Sequence, residues 1–402
     1  MSTPQDDDIL FRAGATTLLK YGVPWRRRRW DALEAEGAAF TRADAATCAT
    51  YFGPDGLLRV ALANRLRLTY GDPAASLGAA LLLEGARTNV CLRNRDLANA
   101  AWTKVSCSAV KDQTGIDGVA SSASRITATA GNGTCLQAIT LGSSARAQSA
   151  YIKRLVGSGT IQMTMDNGGT WTTVTVTSAW TRVTIPTQTI ANPTVGFQIV
   201  TNTDSVAIDF VQNENGAYAS SPIETVAALV TRAADVLPFP IGFSQPGVGE
   251  ELSLYARFDA LWPRTGSDGL APGVFTLGGT GAFAVDGLTI WDAHRATGSA
   301  NLNVRLAPNS ASGVSVSPAL PGAGAMELLT QLRANGALHE LHADLNGSAG
   351  TSGTIALAGF PWRTQILHPG TRGNSTDPGF ILLYDLIVAR GRFTVADFQG
   401  VV

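Results

Sequence analysis

Tyr151, Trp171 and Trp180 share one stretch of the chain with Asp166, Asn167 and Gln188. Flat rings beside planar amides and a carboxylate suit sugar recognition: a ring face takes the apolar side of a pyranose, while amides and acids take its hydroxyls. Trp171 follows a turn sequence, which favours exposure; Trp180, like Trp102, serves equally well as a core residue. A second set lies toward the C-terminus. There Trp291-Asp292-Ala293-His294 and Trp362-Arg363 add aromatic and charged groups, and all four histidines, His294, His339, His342 and His368, gather. His339 and His342 are three apart, so an extended strand sends them to opposite faces and away from a shared metal. Asp344, Asn346 and Asp377 are oxygen donors of the kind that hold calcium, but no ordered Asp-x-Asp loop accompanies them. No metal or cofactor is expected, with calcium the one candidate left open.

Catalytic signatures do not occur: there is no Gly-x-Ser-x-Gly elbow, no His-Glu-x-x-His pair and no phosphate-binding Gly-x-x-x-x-Gly-Lys-Ser/Thr run. A polysaccharide hydrolase needs two carboxylates roughly 5–10 Å apart across a cleft, and Glu327, Glu340, Asp344 and Asp385 qualify by residue type alone. The expectation is a non-enzymatic protein. The densest charge is Trp25-Arg26-Arg27-Arg28-Arg29-Trp30. Arginine and tryptophan anchor protein interfaces, and the same run can grip a nucleic-acid backbone while its rings stack on bases. A solvated turn is the third possibility. One run without a wider basic face is a weak nucleic-acid footprint, so docking on an acidic patch of a partner protein is preferred.

At 402 residues the chain exceeds a single hydrophobic core and implies two or three domains. A net charge of -1 argues against a general nucleic-acid or anionic-membrane binder. With 43 Gly, 18 Pro and only 15% charged residues, the composition is that of a β-sheet protein. Cys48, Cys91, Cys107 and Cys135 match no zinc spacing, and unpaired thiols serving as small apolar residues are favoured over disulfides. No stretch of 18 apolar residues suggests a membrane span. The N-terminus lacks a basic segment followed by an apolar one, so assembly in the cytoplasm without a secretion signal is expected.

From 120 to 212 the chain reads as short alternating strands almost free of charge, among them 125–129, 135–140, 161–165, 174–177, 182–185, 196–200 and 206–211. Each places apolar residues on one face and Thr, Gln or Asp on the other, so two sheets must close on each other. Asp166-Asn167-Gly168-Gly169 is a hairpin turn, because Asn and Gly tolerate positive φ. After the breakers Pro238-Phe239-Pro240 and Pro246-Gly247 a second β-rich block runs through 251–258, 275–277, 283–285, 302–306, 313–316, 326–332, 338–345 and 381–388. The piece around Leu328–Leu332 is readable as a short helix, but its alternating neighbours favour a strand. The fold class is all-β: two consecutive antiparallel sandwich or jelly-roll domains, 91–235 and 236–402, after an extended N-terminal attachment region, 1–90. That first region alternates poorly, with two helical turns at 31–39 and a turn at 52–57.

Several of these segments resemble the structural proteins of tailed bacteriophages and phage-derived gene transfer agents. Phe40-Thr41-Arg42-Ala43, Tyr51-Phe52, Asp55-Gly56-Leu57 and Leu81-Leu82-Leu83-Glu84-Gly85-Ala86-Arg87-Thr88-Asn89 look like the lead-in of fibre and spike proteins. Leu97 to Lys104 looks like the opening strand of their carbohydrate-binding-like jelly roll. Gln212 to Ile223, with Val230-Thr231-Arg232-Ala233-Ala234-Asp235, looks like its closing strand and exit. Residues 236–402 are similar to a concanavalin-like or laminin-G-like module, closed by Asp385-Leu386-Ile387-Val388 and Phe393 to Phe398. The resemblance implies a head spike or tail fibre at the surface of a virion or phage-like particle. Its N-terminal part would attach to capsid, spike-base or tail proteins through Trp25, Arg26, Arg27, Arg28, Arg29 and Trp30. Its sandwiches would bind host capsular or surface polysaccharide through Tyr151, Trp171, Trp180, Trp291, His294, Trp362 and Arg363. A homo-oligomer without membrane or nucleic-acid contact is expected. A capsule depolymerase and a purely structural spacer or fibre-attachment protein are the rival functions.

Overall fold

The alternating stretch forms strands almost where the pattern puts them: Ala123–Ala128, Gly133–Ala138, Ile161–Thr164, Thr172–Val174, Thr181–Ile190, Thr194–Ile199 and Ser205–Asn215. The computed structural model describes residues 9–12, 19–20, 23–24, 26–29, 40–44, 48–70, 79–237, 239–240, 248–260, 273–277, 287–292, 301–307, 313–321, 324–356, 366–369, 381–390 and 392–399. The expected helical turns at 31–39 and the strand at 283–285 lie outside them. The described residues are all-β apart from the short helix Val395–Gln399.

Two compact units divide the chain, one of 44–63 and 86–233, the other of 1–43, 64–85 and 234–402. The first ninety residues, expected to stand as a region of their own, are therefore shared between them. Ala49–Phe52 and Leu58–Ala61 form an antiparallel hairpin in the jelly-roll unit, and Arg67–Thr69 with Ala80–Leu83 form one in the other unit. An isolated hairpin is marginal in water and gains stability by burying its apolar face on a larger sheet.

The jelly-roll unit is a pair of five-stranded antiparallel sheets. One runs Thr103–Val105, Gly133–Ala138, Thr194–Ile199, Ile161–Thr164, Thr172–Val174; the other runs Cys107–Gln113, Ala123–Ala128, Ser205–Asn215, Ser144–Val156, Thr181–Ile190. Between them lies a core that includes Trp102, Ile126, Ile152, Met163, Phe197, Ile208 and Val211. Each such side chain contributes about 1.5–3 kcal/mol by leaving water. Trp102 is core, as one of its two readings had it, and its indole Nε1 donates to the Leu92 carbonyl at 3.2 Å. The 166–169 turn forms as the sequence predicts: Asn167 and Gly168 have φ of 59° and 83°, and the Gly169 amide donates to the Asp166 carbonyl at 3.2 Å.

Position 210 departs from simple alternation. Val206 and Ile208 face the core, but Phe210 adopts φ 46°, the ladder to Ser144–Val156 shifts register there, and Val211 takes the next core position. Phe210 is thereby turned to the outer face, where it joins Phe52, Leu58, Ile116 and Tyr151. The early hairpin seals that face.

The other unit pairs two sheets. In the larger, Ser348–Ile355, Leu338–Leu345, Met326–Asn335, Leu252–Ala260 and Ile381–Arg390 follow one another, continued by Ile9–Arg12 and Arg26–Arg29. The 326–335 segment is thus a strand, as its neighbours imply. The smaller sheet runs from Phe239–Pro240 through Ile366–Pro369, Gly273–Leu277, Gly287–Asp292 and Leu302–Ala307 to Val314–Val316. Where residues 40–43, 64–70, 80–85 and 234–237 meet, four charged side chains are completely buried. Arg67 Nη1 holds Glu84 Oε2 at 2.7 Å and its Nη2 holds Asp235 Oδ2, while Arg42 Nη1 reaches Asp235 Oδ1 at 3.2 Å. The Glu84 amide also donates to Asp235 Oδ2 at 2.9 Å.

Candidate functional site

Of the described side chains singled out from sequence, Tyr151 and Trp180 pack in one cluster and Trp171 does not join it. Tyr151 is only 3% exposed, set edge-on to Phe52 with ring centroids 6.4 Å apart and with Arg182 over its ring. Its face is closed to a sugar because the 49–61 hairpin covers it. Trp180 is half-buried against the same cluster and carries Lys153 Nζ 4.9 Å from its ring. Trp171 is half-buried at the 166–169 turn, close enough to Gly168 that a Cβ there would stand 2.9 Å from Cζ2 of the indole. At the base of that turn, burial opposes the charge on Asp166, but the Thr170 amide and Thr164 hydroxyl outweigh it and hold the carboxyl below the ordinary aspartate pKa.

Trp291 lies on the strand Gly287–Asp292, whereas His294, Trp362, Arg363, Trp25 and Trp30 fall outside the described residues. Arg26–Arg29 is a strand paired in parallel with Ile9–Arg12, so the run is extended and not a turn. His339 and His342 do face opposite ways. The His339 ring contacts the Glu250 carbonyl at 2.8 Å and the His342 ring contacts Thr351 Oγ1 at 3.1 Å; burial, with Arg333 adding to it, lowers the pKa of His342. Two of the three candidate calcium ligands serve the turn after Leu338–Leu345: Asp344 Oδ1 accepts the Gly347 amide at 2.8 Å, and Asn346 Oδ1 accepts the Glu327 amide at 2.7 Å. Asp377 lies outside the described residues, among which no three His, Cys, Asp or Glu side chains form a metal-binding group.

A polar site that alternation does not disclose occupies one end of the space between the jelly-roll sheets. In the ladder joining Ser144–Val156 to Ser205–Asn215, Arg146 stands opposite Asn215 and Gln148 opposite Asn213. Cross-strand partners share a face. Two residues further along each strand, on that same inner face, Ala150 and Val211 belong to the hydrophobic core. The interior thus grades from an exposed rim at Gly142, Ser143 and Asn215, through buried Arg146, Gln148 and Asn213, to hydrocarbon.

Arg146 Nη1 donates to Asn215 Oδ1 at 2.9 Å and Nη2 to the Gly142 carbonyl at 3.0 Å. Asn213 Nδ2 rests on Met165 Sδ at 3.4 Å, immediately before the turn that carries Trp171. Gln188, expected near a sugar site from its type, is the ladder partner of Arg146 on the other side. Four atoms here are buried with no protein partner: Arg146 Nε, Gln148 Nε2 and Oε1, and Asn213 Oδ1. A buried polar atom left unsatisfied costs about 1–3 kcal/mol, and native proteins almost always supply such groups with water or a ligand. The arrangement is a buried end of the sandwich furnished with donors and acceptors.

The neighbouring charged cluster has a different character. Arg95 Nε holds Asp209 Oδ1 at 2.7 Å, its Nη2 holds Asp117 Oδ2 at 2.8 Å, and its guanidinium lies 4.2 Å from the Phe210 ring. Asp209 Oδ2 also accepts the Ile116 amide at 3.0 Å. Both carboxylate oxygens of Asp209 are engaged within the fold, next to the bulge at Phe210.

No family model matches this chain, and no curated protein matches it. Among solved structures, an endo-1,3-β-glucanase from Streptomyces sioyaensis aligns at 16% identity and a TM-score of 0.30 over 40% of this chain and 70% of its own. A tail fibre protein of an E. coli phage aligns at 9% identity and a TM-score of 0.22, over 76% of this chain and 41% of its own. At TM-scores this low neither likeness bears on the site.

Proposed function

We propose that this chain is a non-enzymatic spike or fibre protein of a phage-like particle that binds polysaccharide on the host surface, with the jelly roll as a binding module. The observation that supports it is the inner end of the sandwich, where Arg146, Gln148 and Asn213 replace apolar core residues and keep unused hydrogen-bond capacity. Hydroxyl-rich ligands satisfy such groups in both directions, since each hydroxyl donates and accepts. Repetition of the site on a homo-oligomeric particle raises the effective concentration. Attachment to capsid, spike-base or tail proteins falls to the N-terminal segments, Arg26–Arg29 included.

The test uses the full chain on a glycan array and on host cells, followed by sizing of the bound polysaccharide. Retention with unchanged chain length is the expected result. Shortened products would replace this function with depolymerisation, and no retention on any glycan or cell would leave a structural spacer.

A further inference from the structure

Arg146 differs from a generic sugar-binding arginine in one respect. Among the described residues it hydrogen-bonds only to the Asn215 amide oxygen and the Gly142 carbonyl, and no carboxylate reaches its guanidinium. It is nonetheless only 2% exposed. A buried charge without a counter-ion is strongly unfavourable, and folded proteins pair nearly all of them. Arg42, Arg67 and Arg95 in this same chain each hold a carboxylate. Burial pushes the Arg146 pKa down with nothing opposing it. The unused Nε and its neighbour Nη2 form the side-on edge of the guanidinium, the edge that takes both oxygens of a carboxylate. Nη2 is held by the Gly142 carbonyl, in an exposed segment at the rim, and this is the contact an arriving ligand replaces. Further along the same face of the two strands, Gln148 and Asn213 offer one donor and two acceptors.

We infer that the ligand of this site is an acidic saccharide, a uronic-acid-type sugar whose carboxylate pairs with Arg146 while its hydroxyls engage Gln148 and Asn213. This deepens the function proposed above and rests on it. No covalent step is involved; the gain comes from pairing an otherwise lone buried cation in a low-dielectric setting.

The test is calorimetric titration of the full chain with a panel of acidic oligosaccharides, oligogalacturonate among them, against neutral oligoglucosides of equal length. Inorganic phosphate and single-stranded DNA are added as competitors. An acidic member of the panel is expected to bind at least about tenfold more tightly than any neutral one, and to weaken as salt rises. Arg146→Gln should abolish the preference, Arg146→Lys should restore only part of it because a point charge lacks the fork, and Gln148→Leu should weaken both ligand types. Equal binding of acidic and neutral sugars, both lost in Gln148→Leu, would overturn the acidic class while leaving saccharide binding at this site. Acidic binding unaffected by Gln148→Leu and Arg146→Gln would place the ligand elsewhere. Competition by phosphate or DNA as effective as that of the uronate would reduce the site to a general anion site, and no binding by the whole panel would overturn the inference. If Arg146→Gln fails to fold, Asn213→Leu carries the same comparison through the hydroxyl contacts.

Discussion

Arg67 and Arg146 are both buried arginines on β-strands, yet one is paired with carboxylates and the other is not. Arg67 is enclosed by Glu84 and Asp235, with Arg42 on the far oxygen of Asp235, and this closed network ties segments from four parts of the chain together. Among the described residues Arg146 has two neutral acceptors and no carboxylate. The first arrangement uses charge to specify a fold, and removing one member strands the others in a medium that cannot solvate them. The second leaves interaction capacity unspent in the free protein. Arg95 makes the contrast within one module, since it sits in the same jelly roll as Arg146 and holds Asp209 and Asp117.

The largest effect should come from breaking the matched network by halves. Arg67→Met leaves Glu84 and Asp235 buried without their shared cation and should cost about 3–5 kcal/mol, read as a drop in the urea midpoint of the unit that contains it. Neutralising the partners in the same chain, as Arg67→Met with Glu84→Gln and Asp235→Asn, should recover most of that loss; no recovery would mean that the charges are not what the network contributes. A smaller effect is expected from Gly115→Ala. The new methyl would stand 2.6 Å from both Arg95 Nη2 and Asp209 Oδ2, and closer still to Ser122 Oγ, so the Arg95 cluster must shift, at about 1–3 kcal/mol. Wild-type stability in this variant would show the cluster to be looser than its distances imply.

Asp117 gives the comparison a pH dependence. Burial opposes its charge, but the Val119 amide and Arg95 outweigh it, so its pKa lies below the ordinary value in the folded protein. A group whose pKa is depressed on folding adds stability above its unfolded value, about 3.9, and loses it as the pH falls through the folded one. Thermal unfolding between pH 6 and pH 2, roughly spanning both values, should therefore show the jelly roll losing stability on the acid side less steeply in Asp117→Asn than in the wild type. An identical slope would detach Asp117 from that role.

Much of this fold was legible before any coordinates, and the exceptions have physical causes. Segments with one apolar face, such as Thr194–Ile199 and Leu338–Leu345, appear where alternation predicts them. Alternation does not disclose Ser144–Val156, the longest strand of the jelly roll, because both of its faces are buried over much of its length and its inner end is polar. Its outer face is covered by the 49–61 hairpin, a contact remote in sequence that no local pattern encodes, and the same cover explains why Tyr151 looked available. The site was hidden more thoroughly. Period-two reading assigns polar side chains to solvent, which puts Gln148 and Asn213 on the wrong side of the sheet. The bulge at Phe210 then inverts the phase of Ser205–Asn215, so that even positions face the core before it and odd ones after it. One signal was present: a polar run, Gln212 to Asn215, continuing a strand without any alternation at all.

The smallest effect on stability separates the two arginines most sharply. Gln148→Leu removes two buried, unpartnered atoms and substitutes a side chain of similar size beside Ala150 and Ile152, residues of the core. If the amide were part of the scaffold, its loss would cost about 1 kcal/mol or more, as losing a made hydrogen bond does. Because neither of its polar atoms has a protein partner, the free protein should instead be unchanged or more stable by about 1 kcal/mol, with the thermal midpoint level or slightly raised. Saccharide retention should fall in the same variant. Opposite movement of stability and binding is the signature of a group kept for its ligand; a loss of both together would return Gln148, and the unmatched arginine beside it, to the scaffold.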